Sequence, residues 1–287
     1  MSLRIRIGNQ TSYGALNAME PFEFALENGF DAFEWFADKK ISSDGSACGW
    51  AESDMTEERR IEIRRLGAER DVLFSVHAPW QANPLEWGGD RILMSSIDFA
   101  CDIGAHLVNL HLNMDRGPQG FAEAMVPVIR YAAEERIRLS IENTPHTTAG
   151  DLNATFECLK KLADTDTAHV GMCLDIGHAN LSHGTQNDFV RYIDQLAPEI
   201  PITHLHVHEN YGDSDSHLTL FTGPARNNDS GLRAFIERMD KRSYHGAMIL
   251  EQWPNPPRLL VEAAERLRGL LGPRVDEGHL SRGHWRG

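Results

Sequence analysis

Three histidines alternate with apolar residues in the segment Ile-Thr-His-Leu-His-Val-His-Glu. His204, His206 and His208 are each two residues apart, so in an extended strand their imidazoles point to the same side. Buried imidazole nitrogens are costly unless a metal ion or a hydrogen bond satisfies them. Because histidine is the commonest metal ligand, and because Asp215 and His217 follow after a short turn, the segment favours a metal site.

Acidic or imidazole side chains also follow other apolar segments that are rich in β-branched residues. The predicted strands are residues 3–8, 32–36, 72–78, 106–112, 137–142, 169–175, 202–208 and 247–252. At or near the carboxyl ends of six of them lie His77, His111, Glu142, Asp175, His178, His206 and Glu251. Converging carboxylates with no Lys or Arg among them need a cation to offset their repulsion. The pattern therefore predicts a divalent metal ion.

The donor types also limit which ion is expected. Mixed carboxylate and imidazole ligands suit Zn²⁺ or Mn²⁺ best, with Co²⁺, Fe²⁺ and Mg²⁺ as further candidates. The cysteines are scattered along the chain, which argues against a site built from thiolates. We therefore expect oxygen and nitrogen ligands only.

Amphipathic segments separate the predicted strands. Apolar residues recur at helical spacing from Phe121 to Ala132, and Asp151 is the predicted N-cap of a second helix that begins near Leu152. Eight strands with helices between them, at roughly 35 residues per unit, predict a single (β/α)8 TIM barrel, an α/β fold with a parallel eight-stranded core. A doubly wound open sheet is the alternative, but its glycine-rich phosphate turn is missing after the first strand.

The composition is that of an ordinary globular protein. Of the 287 residues, 41% are hydrophobic and 24% are charged, which allows a sizeable core. We predict one domain, with the barrel over residues 1–272 and a loosely ordered tail over 273–287. The chain has no apolar run of about 18 residues and no CxxC pair, so we expect reduced thiols and a cytoplasmic protein. The net charge of −14 disfavours nucleic-acid and membrane surfaces, while a homo-oligomer is compatible with it.

Six segments together resemble the xylose isomerase-like barrel superfamily. They are HAPW at 77–80, NLHLN at 109–113, IENTP at 141–145, CLDIGHAN at 173–180, HVHEN and DSH between 206 and 217, and ILEQW at 249–253. The superfamily contains sugar and sugar-phosphate isomerases and epimerases, inosose dehydratases and the endonuclease IV group. The resemblance covers nearly the whole chain in the same order, so it implies the same barrel.

The isomerase and epimerase pattern of this superfamily implies one divalent ion, held by Glu142, Asp175, His206 and Glu251. Glu142 and Glu251 would also act as the acid–base pair that moves a proton through a metal-stabilised enediolate. His178 would contact a substrate oxygen. On this resemblance we predict a metal-dependent isomerase or epimerase of a small keto-sugar, sugar phosphate or polyol.

The endonuclease IV pattern implies three zinc ions instead. Each of its ligand types has a counterpart in the set His77, His111, Glu142, Asp175, His178, His206, Asp215, His217 and Glu251. In the loop after the second predicted strand, acidic residues match the two lysines, and the loop after the seventh is strongly acidic until Arg226. Neither loop offers the excess of basic residues that grips duplex DNA. Hydrolysis of abasic DNA is therefore the alternative function, and nucleic acid is not an expected partner. A barrel that binds metal without turnover is the third hypothesis.

Residues beside the predicted ligands are candidates for substrate binding. Trp80 and Trp253 adjoin ligand positions, where an indole can stack on a sugar ring or shield the ion from water. His208 is predicted nearer the barrel mouth, to meet substrate or support a ligand, whereas His204 lies deeper as a hydrogen-bonded core residue. Glu34, near the end of the second strand, is a further predicted substrate contact.

Overall fold

In the computed structural model, eight parallel strands close into a barrel. The structure describes residues 5–272 except 13, 16, 38, 42–44, 46, 163 and 164. The strands are β1 (Arg6–Gln10), β2 (Ala32–Phe36), β3 (Lys40–Ile41), β4 (Ala47–Cys48), β5 (Leu73–His77), β6 (Leu107–His111), β7 (Arg138–Glu142), β8 (Val170–Asp175), β9 (Ile202–Val207) and β10 (Ala247–Leu250).

The strand order around the barrel is β1, β10, β9, β8, β7, β6, β5 and β2. Because β1 pairs with both β10 and β2, the sheet has no open edge, and the open doubly wound alternative is wrong. Strands β3 and β4 form a separate antiparallel pair inside the long connection after β2. The predicted (β/α)8 barrel is confirmed.

Helices cover the outside of the barrel. They are α1 (Met19–Glu27), α2 (Glu57–Arg70), α3 (Gly89–Ile103), α4 (Gly117–Glu134), α5 (Ala149–Lys160), α6 (Ile176–Leu181), α7 (Phe189–Gln195), α8 (Ser230–Lys241) and α9 (Arg258–Leu271). Their apolar faces are buried: α4 buries Phe121, Met125 and Val128, which recur at helical spacing. Among the residues described, no helix is long and apolar enough to cross a membrane.

The start of α5 differs from the prediction. Asp151 is not the N-cap; Thr148 is, and its hydroxyl accepts a hydrogen bond from the backbone N–H of Asp151 at 3.2 Å. The Asp151 carboxylate accepts one in return from the backbone N–H of Thr148 at 2.8 Å. This reciprocal capping box places the acidic residue three positions inside the helix.

The predicted strand limits hold within a few residues, and the largest difference is at β1. The prediction ended this strand at Gly8, but it continues through Asn9 and Gln10, whose buried polar side chains do not resemble a strand interior. At the other end of the chain, β10 ends at Leu250, so Glu251 stands immediately beyond its strand. The tail predicted at 273–287 lies outside the described residues.

The barrel register aligns the functional residues. His111 is paired with Glu142 across β6 and β7, and Asp175 with His206 across β8 and β9. A register shift between Met172 and Cys173 accompanies the second pairing. Because the strands are parallel, their carboxyl ends meet at one rim. The register therefore brings imidazoles and carboxylates that are distant in sequence to the same end of the barrel.

Candidate metal centre

Eight of the nine residues of the predicted ligand set fall into close donor groups at the carboxyl rim, and the ninth, His111, lies with its Nε2 3.8 Å from Glu142 Oε1. Five carboxylate–imidazole groups can each place their donor atoms within 4.8 Å of one another. One of them contains His77, Glu142, His206 and Glu251, and another contains His178, Asp215 and His217 together with His208. Among the described residues, no one group contains all four residues predicted for a single ion. Glu142, His206 and Glu251 share a group with His77, whereas Asp175 groups with Glu142 and His178, and with His208 and Glu251.

Two histidines on the inner side direct at Glu142 a ring nitrogen that has no hydrogen-bond partner within the described chain. The Nδ1–H of His77 donates to the backbone carbonyl of Ala78 at 2.7 Å, because a carbonyl can only accept. When the ring is neutral, its Nε2 therefore carries the lone pair, and this atom lies 3.2 Å from Glu142 Oε2. His206 donates from Nε2 to Glu34 Oε1 at 2.8 Å, so its Nδ1 lone pair lies 3.3 Å from both Glu142 and Glu251.

Two more histidines direct a ring nitrogen at Asp215. His178 donates from Nδ1 to the carbonyl of Asn143 at 2.9 Å, and its Nε2 lies 3.3 Å from Asp215 Oδ2. His217 donates from Nδ1 to the carbonyl of Glu251 at 3.0 Å, and its Nε2 lies 3.2 Å from the same oxygen. A lone pair that faces a carboxylate oxygen at this distance is repulsive unless a cation sits between them.

These distances fit a metal ion. Ligands of a tetrahedral Zn²⁺ at about 2.0–2.1 Å are about 3.3 Å apart, which matches the spacings of 3.2–3.3 Å within both histidine groups. Several buried donor atoms also have no hydrogen-bond partner within the described chain: His77 Nε2, His206 Nδ1, Glu142 Oε1 and Glu251 Oε2. A divalent ion satisfies these atoms, so the residues fit the predicted cofactor.

In the metal-free chain, protons on the histidine nitrogens take the place of the metal ion between imidazole and carboxylate. Burial lowers the pKa of His217, but the negative charges of Glu251 and Asp215 outweigh burial and raise it to about 9. The pKa of His178 is raised well above its ordinary value against burial, because Asp175, Asp215 and Glu142 surround it. Burial lowers the pKa of His111 to about 4, so His111 is neutral at neutral pH.

We expect zinc binding to release protons and to stabilise the protein more at high pH. The pKa of His217, about 9, exceeds the ordinary value of 6.5. The stability that its protonation gives the metal-free chain is therefore fully present below pH 6.5 and is lost as the pH rises through 9. Zinc must displace this proton.

Thermal unfolding of metal-free and zinc-loaded protein, measured across this pH range, should show a stabilisation by zinc that grows with pH. Titration calorimetry in buffers of different ionisation enthalpy should show protons released at neutral pH. Zinc binding with no proton release would contradict the assignment of His217 as a ligand.

A cavity of about 780 Å³ opens above the cluster. Its wall includes Trp80 and Trp253, the two indoles predicted to bind substrate, and Trp80 is 55% exposed. The ring of Trp253 is fixed edge-to-face on Phe24, with ring centroids 5.4 Å apart. The metal-centre residues that reach the cavity are His77, His111, His178, Asp215, His217 and Glu251.

Two predicted substrate contacts lie elsewhere. Glu34 is fully buried and does not line the cavity; its carboxylate accepts hydrogen bonds from His204 Nε2 and His206 Nε2, both at 2.8 Å, and from Ser75. Substrate cannot reach it, so that prediction is corrected, whereas the prediction of His204 as a hydrogen-bonded core residue is confirmed. His208 is also buried, and its Nε2 faces Asp175 at 3.1 Å.

Sequence reasoning missed two asparagines that hold the ligands. Asn109 donates to Glu142 Oε2, and Asn143 spans Asp175 by accepting from its backbone N–H and donating to its carbonyl, both at 2.9 Å. A signal was available for both. Asn109 precedes His111 by two residues on the same strand, and Asn143 directly follows Glu142, so each is placed to support a ligand.

Comparison with known proteins gives the same barrel. A solved structure of a D-tagatose 3-epimerase-like protein matches with a TM-score of 0.71 and 20% identity, over 93% of this chain and 97% of that one. Endonuclease IV from Thermus thermophilus matches with a TM-score of 0.65 and 20% identity, over 93% of this chain and 98% of that one. At such identities the likeness concerns the fold.

A sequence relative is the Methanocaldococcus jannaschii protein MJ1311, which is 30% identical over 125 residues. The match covers 43% of this chain and 40% of the relative, so the chain spans less than half of that protein. A family model described as the xylose isomerase-like TIM barrel matches residues 22–270. With the closed barrel and the rim of imidazoles and carboxylates, this match shows that the chain belongs to the xylose isomerase-like TIM barrel family.

Proposed function

We propose that the protein is a metal-dependent hydrolase of small phosphate esters that uses more than one divalent ion. One ion would be held by His77, His111 and Glu142. A second would be held by Glu142, Asp175, His206 and Glu251, and a third by His178, Asp215 and His217. When bound, such ions generate a nucleophile from water and neutralise the oxygens of a phosphoryl group.

The observation that carries the proposal is the position of Glu142. Its Oε2 faces His77 Nε2 at 3.2 Å and His206 Nδ1 at 3.3 Å, while its Oε1 faces His111 Nε2 at 3.8 Å. One carboxylate is therefore placed between two sets of donors, as in sites where two ions share a ligand. Glu142 is also fully buried and absent from the cavity wall, which is unfavourable for taking a proton from a substrate carbon.

The cavity supports a small substrate. A volume of about 780 Å³ suits a molecule of drug or nucleotide size. Lys40 is the one lysine or arginine among the described residues of its wall, and the chain carries a net charge of −14. Duplex DNA needs many cationic contacts to its phosphates, so a small ester is favoured over a nucleic acid.

The chain's own residues have distinct roles in this proposal. Trp80 and Trp253 form apolar walls that orient the organic part of the ester, and Lys40 adds a positive charge for its phosphate. Glu251 reaches the cavity and is ionised, since burial is outweighed by His206 and His217, which hold its pKa well below the ordinary value. As a ligand of the second ion, it would hold that ion next to the cavity in which the ester binds.

The test combines metal content with turnover. We expect two or three ions per chain by elemental analysis of protein purified without added metal, and hydrolysis of p-nitrophenyl phosphate or bis(p-nitrophenyl) phosphate that a chelator abolishes. An abasic DNA duplex should be cleaved no faster than these small esters. One ion per chain, with no hydrolysis of either ester, would contradict the proposal.

The second candidate is the isomerase or epimerase of a small sugar or polyol. It is favoured by Glu251, a carboxylate beside both the cavity and the predicted ion. It predicts one tightly held ion and exchange of a ketose α-proton with solvent deuterium. If metal-loaded protein neither hydrolyses esters nor catalyses this exchange over a wide panel of ketoses, the barrel binds metal without turnover.

A further inference from the structure

His208 contacts one residue proposed to bind the second ion and one proposed to bind the third. Its Nε2 lies 3.1 and 3.2 Å from the two carboxylate oxygens of Asp175. Its ring lies face to face with that of His217, with centroids 4.0 Å apart and planes inclined by 7°. We propose that His208 is a positioning residue that orients both Asp175 and His217 and so links the second and third ion sites. The inference rests on the ion sites of the proposed function, and it gives His208 no contact with an ion.

The hydrogen bond between His208 and Asp175 has a defined direction. A carboxylate oxygen accepts, so Nε2 of His208 carries the proton and donates it. The backbone N–H of His178 donates to Asp175 Oδ1 at 2.7 Å, while Asp175 Oδ2 lies 3.8 Å from Nδ1 of His206, a proposed ligand of the same ion. Two donors on different elements therefore fix the rotation of the carboxylate and keep Oδ2 directed at the second site.

The stacked ring of His208 fixes the plane of the His217 imidazole. His217 donates from Nδ1 to the Glu251 carbonyl at 3.0 Å, but its side chain is 33% exposed and lines the cavity. Its backbone φ is 43°, in the left-handed region that is unfavourable for residues other than glycine. The buried face of His208 therefore supports a ligand that the backbone alone does not hold firmly.

Gly177 leaves the space that the His208 ring occupies. A Cβ atom on Gly177 would lie 2.0 Å from Cε1 of His208 and 2.4 Å from each ring nitrogen. Gly177 lies in α6, two residues after Asp175 at the end of β8. A side chain at position 177 would displace the ring, and the displaced ring would lose its contacts with both Asp175 and His217. The two contacts can therefore be broken without changing His208 itself.

The test compares three substitutions of His208. Glutamine can place an amide N–H where the imidazole has Nε2, whereas asparagine reaches only the position of Nδ1 and alanine reaches neither. His208→Ala should weaken zinc binding about 10- to 100-fold at the second site and about two- to tenfold at the third. His208→Gln should restore the second site only, because it has the donor but no ring. His208→Asn should resemble His208→Ala at both sites.

Affinities are measured by competition with a chelating dye, and crystals equilibrated at defined free zinc assign each affinity to its site by occupancy. Gly177→Ala is the second variant, and it should weaken zinc binding at both sites although His208 is retained. The control is His106→Gln, which replaces a partly buried histidine outside the metal centre that is hydrogen-bonded to the Phe74 carbonyl. It should leave both sites at wild-type affinity.

Two results would overturn the inference: wild-type zinc affinity at both sites in folded His208→Ala, or no more affinity with glutamine than with asparagine. Restoration of both sites by glutamine would overturn the link through the stacked ring. Circular dichroism and thermal unfolding identify the folded variants. All readouts are zinc affinities and occupancies, so a protein that shows this order of affinities but hydrolyses no ester would contradict the proposed function alone.

Discussion

Replacing Glu142 by glutamine is expected to remove most of the bound metal and to abolish measurable ester hydrolysis. Glu142 faces the nitrogens of His77, His111 and His206 with its two oxygens. Glutamine keeps the shape of the side chain, but it is neutral and can offer only one oxygen. The first and second proposed ions, which share Glu142, would therefore both lose this anionic ligand.

The expected loss of metal affinity follows from the burial of Glu142 and of the ion that it would bind. Removing one partner of a buried charge pair costs about 3–5 kcal/mol, which corresponds to roughly 10²- to 10⁴-fold in metal affinity. Burial raises the pKa of Glu142, but the nearby His206 outweighs burial and holds the pKa well below its ordinary value. The carboxylate is thus ionised in the wild-type protein, and its charge is what the substitution removes.

The matched control for Glu142→Gln is Glu209→Gln. Glu209 is also buried at the carboxyl rim, but its carboxylate accepts from the backbone N–H groups of Gly223 and Ala225 rather than facing the histidines. Zinc titration of the apoproteins and elemental analysis should show a normal ion count in the control and a reduced one in Glu142→Gln. Equal zinc affinity in both variants would contradict a shared ligand at position 142.

The barrel was predictable because its signals are local and repeated. Apolar segments that end in His, Asp or Glu recur along the chain, and closure follows from their number. The register then dictates that Asp175 stands beside His206. What the sequence does not contain is the hydrogen-bond direction of each imidazole. The bare nitrogen of His178 depends on the carbonyl of Asn143, and that of His217 on the carbonyl of Glu251, which are contacts between distant segments.

Glu34 is a second residue whose role depends on contacts between distant segments, which the sequence alone does not give. Strand alternation indicates the side to which a residue points, but not how deep it lies along the barrel axis. Glu34 is paired with Gln10 and Ser75 in the sheet, and Gln10 lines the cavity, but the Glu34 carboxylate points to the buried rings of His204 and His206 instead. A carboxylate near a strand end was therefore predicted as a substrate contact, although it is buried beneath a ligand. Only the assembled register distinguishes the two positions.

The substitution Glu34→Ala is expected to weaken metal binding by about 10- to 100-fold without touching an ion. The Nε2–H groups of His204 and His206 both donate to Glu34 at 2.8 Å, and carboxylates that orient ligand histidines typically contribute this much affinity. Without an acceptor at Nε2, His206 loses the bond that keeps the lone pair of Nδ1 directed at Glu142 and Glu251. Breaking this buried group should also lower the free energy of unfolding by about 3–5 kcal/mol.

Glu34→Gln separates the hydrogen bond from the charge. The glutamine oxygen can still accept from His206, and its NH₂ group can donate to His204, because the Nδ1 of His204 has no partner within the described chain and can take the proton instead. We therefore expect zinc affinity in this variant to fall by less than about tenfold. Glu52→Gln is the control, since Glu52 also accepts from two side chains, Ser95 and Ser96, but outside the barrel.

The measurements are zinc affinity by competition with a chelating dye and stability by denaturant unfolding. If Glu34 acts by orienting His206, zinc affinity should fall in the order wild type, Glu34→Gln, Glu34→Ala, with Glu52→Gln equal to wild type. A glutamine variant as impaired as the alanine variant would assign the effect to the negative charge of Glu34, whose pKa is held below the ordinary range by His206 and His204 against burial. Wild-type affinity in Glu34→Ala would remove Glu34 from the metal centre.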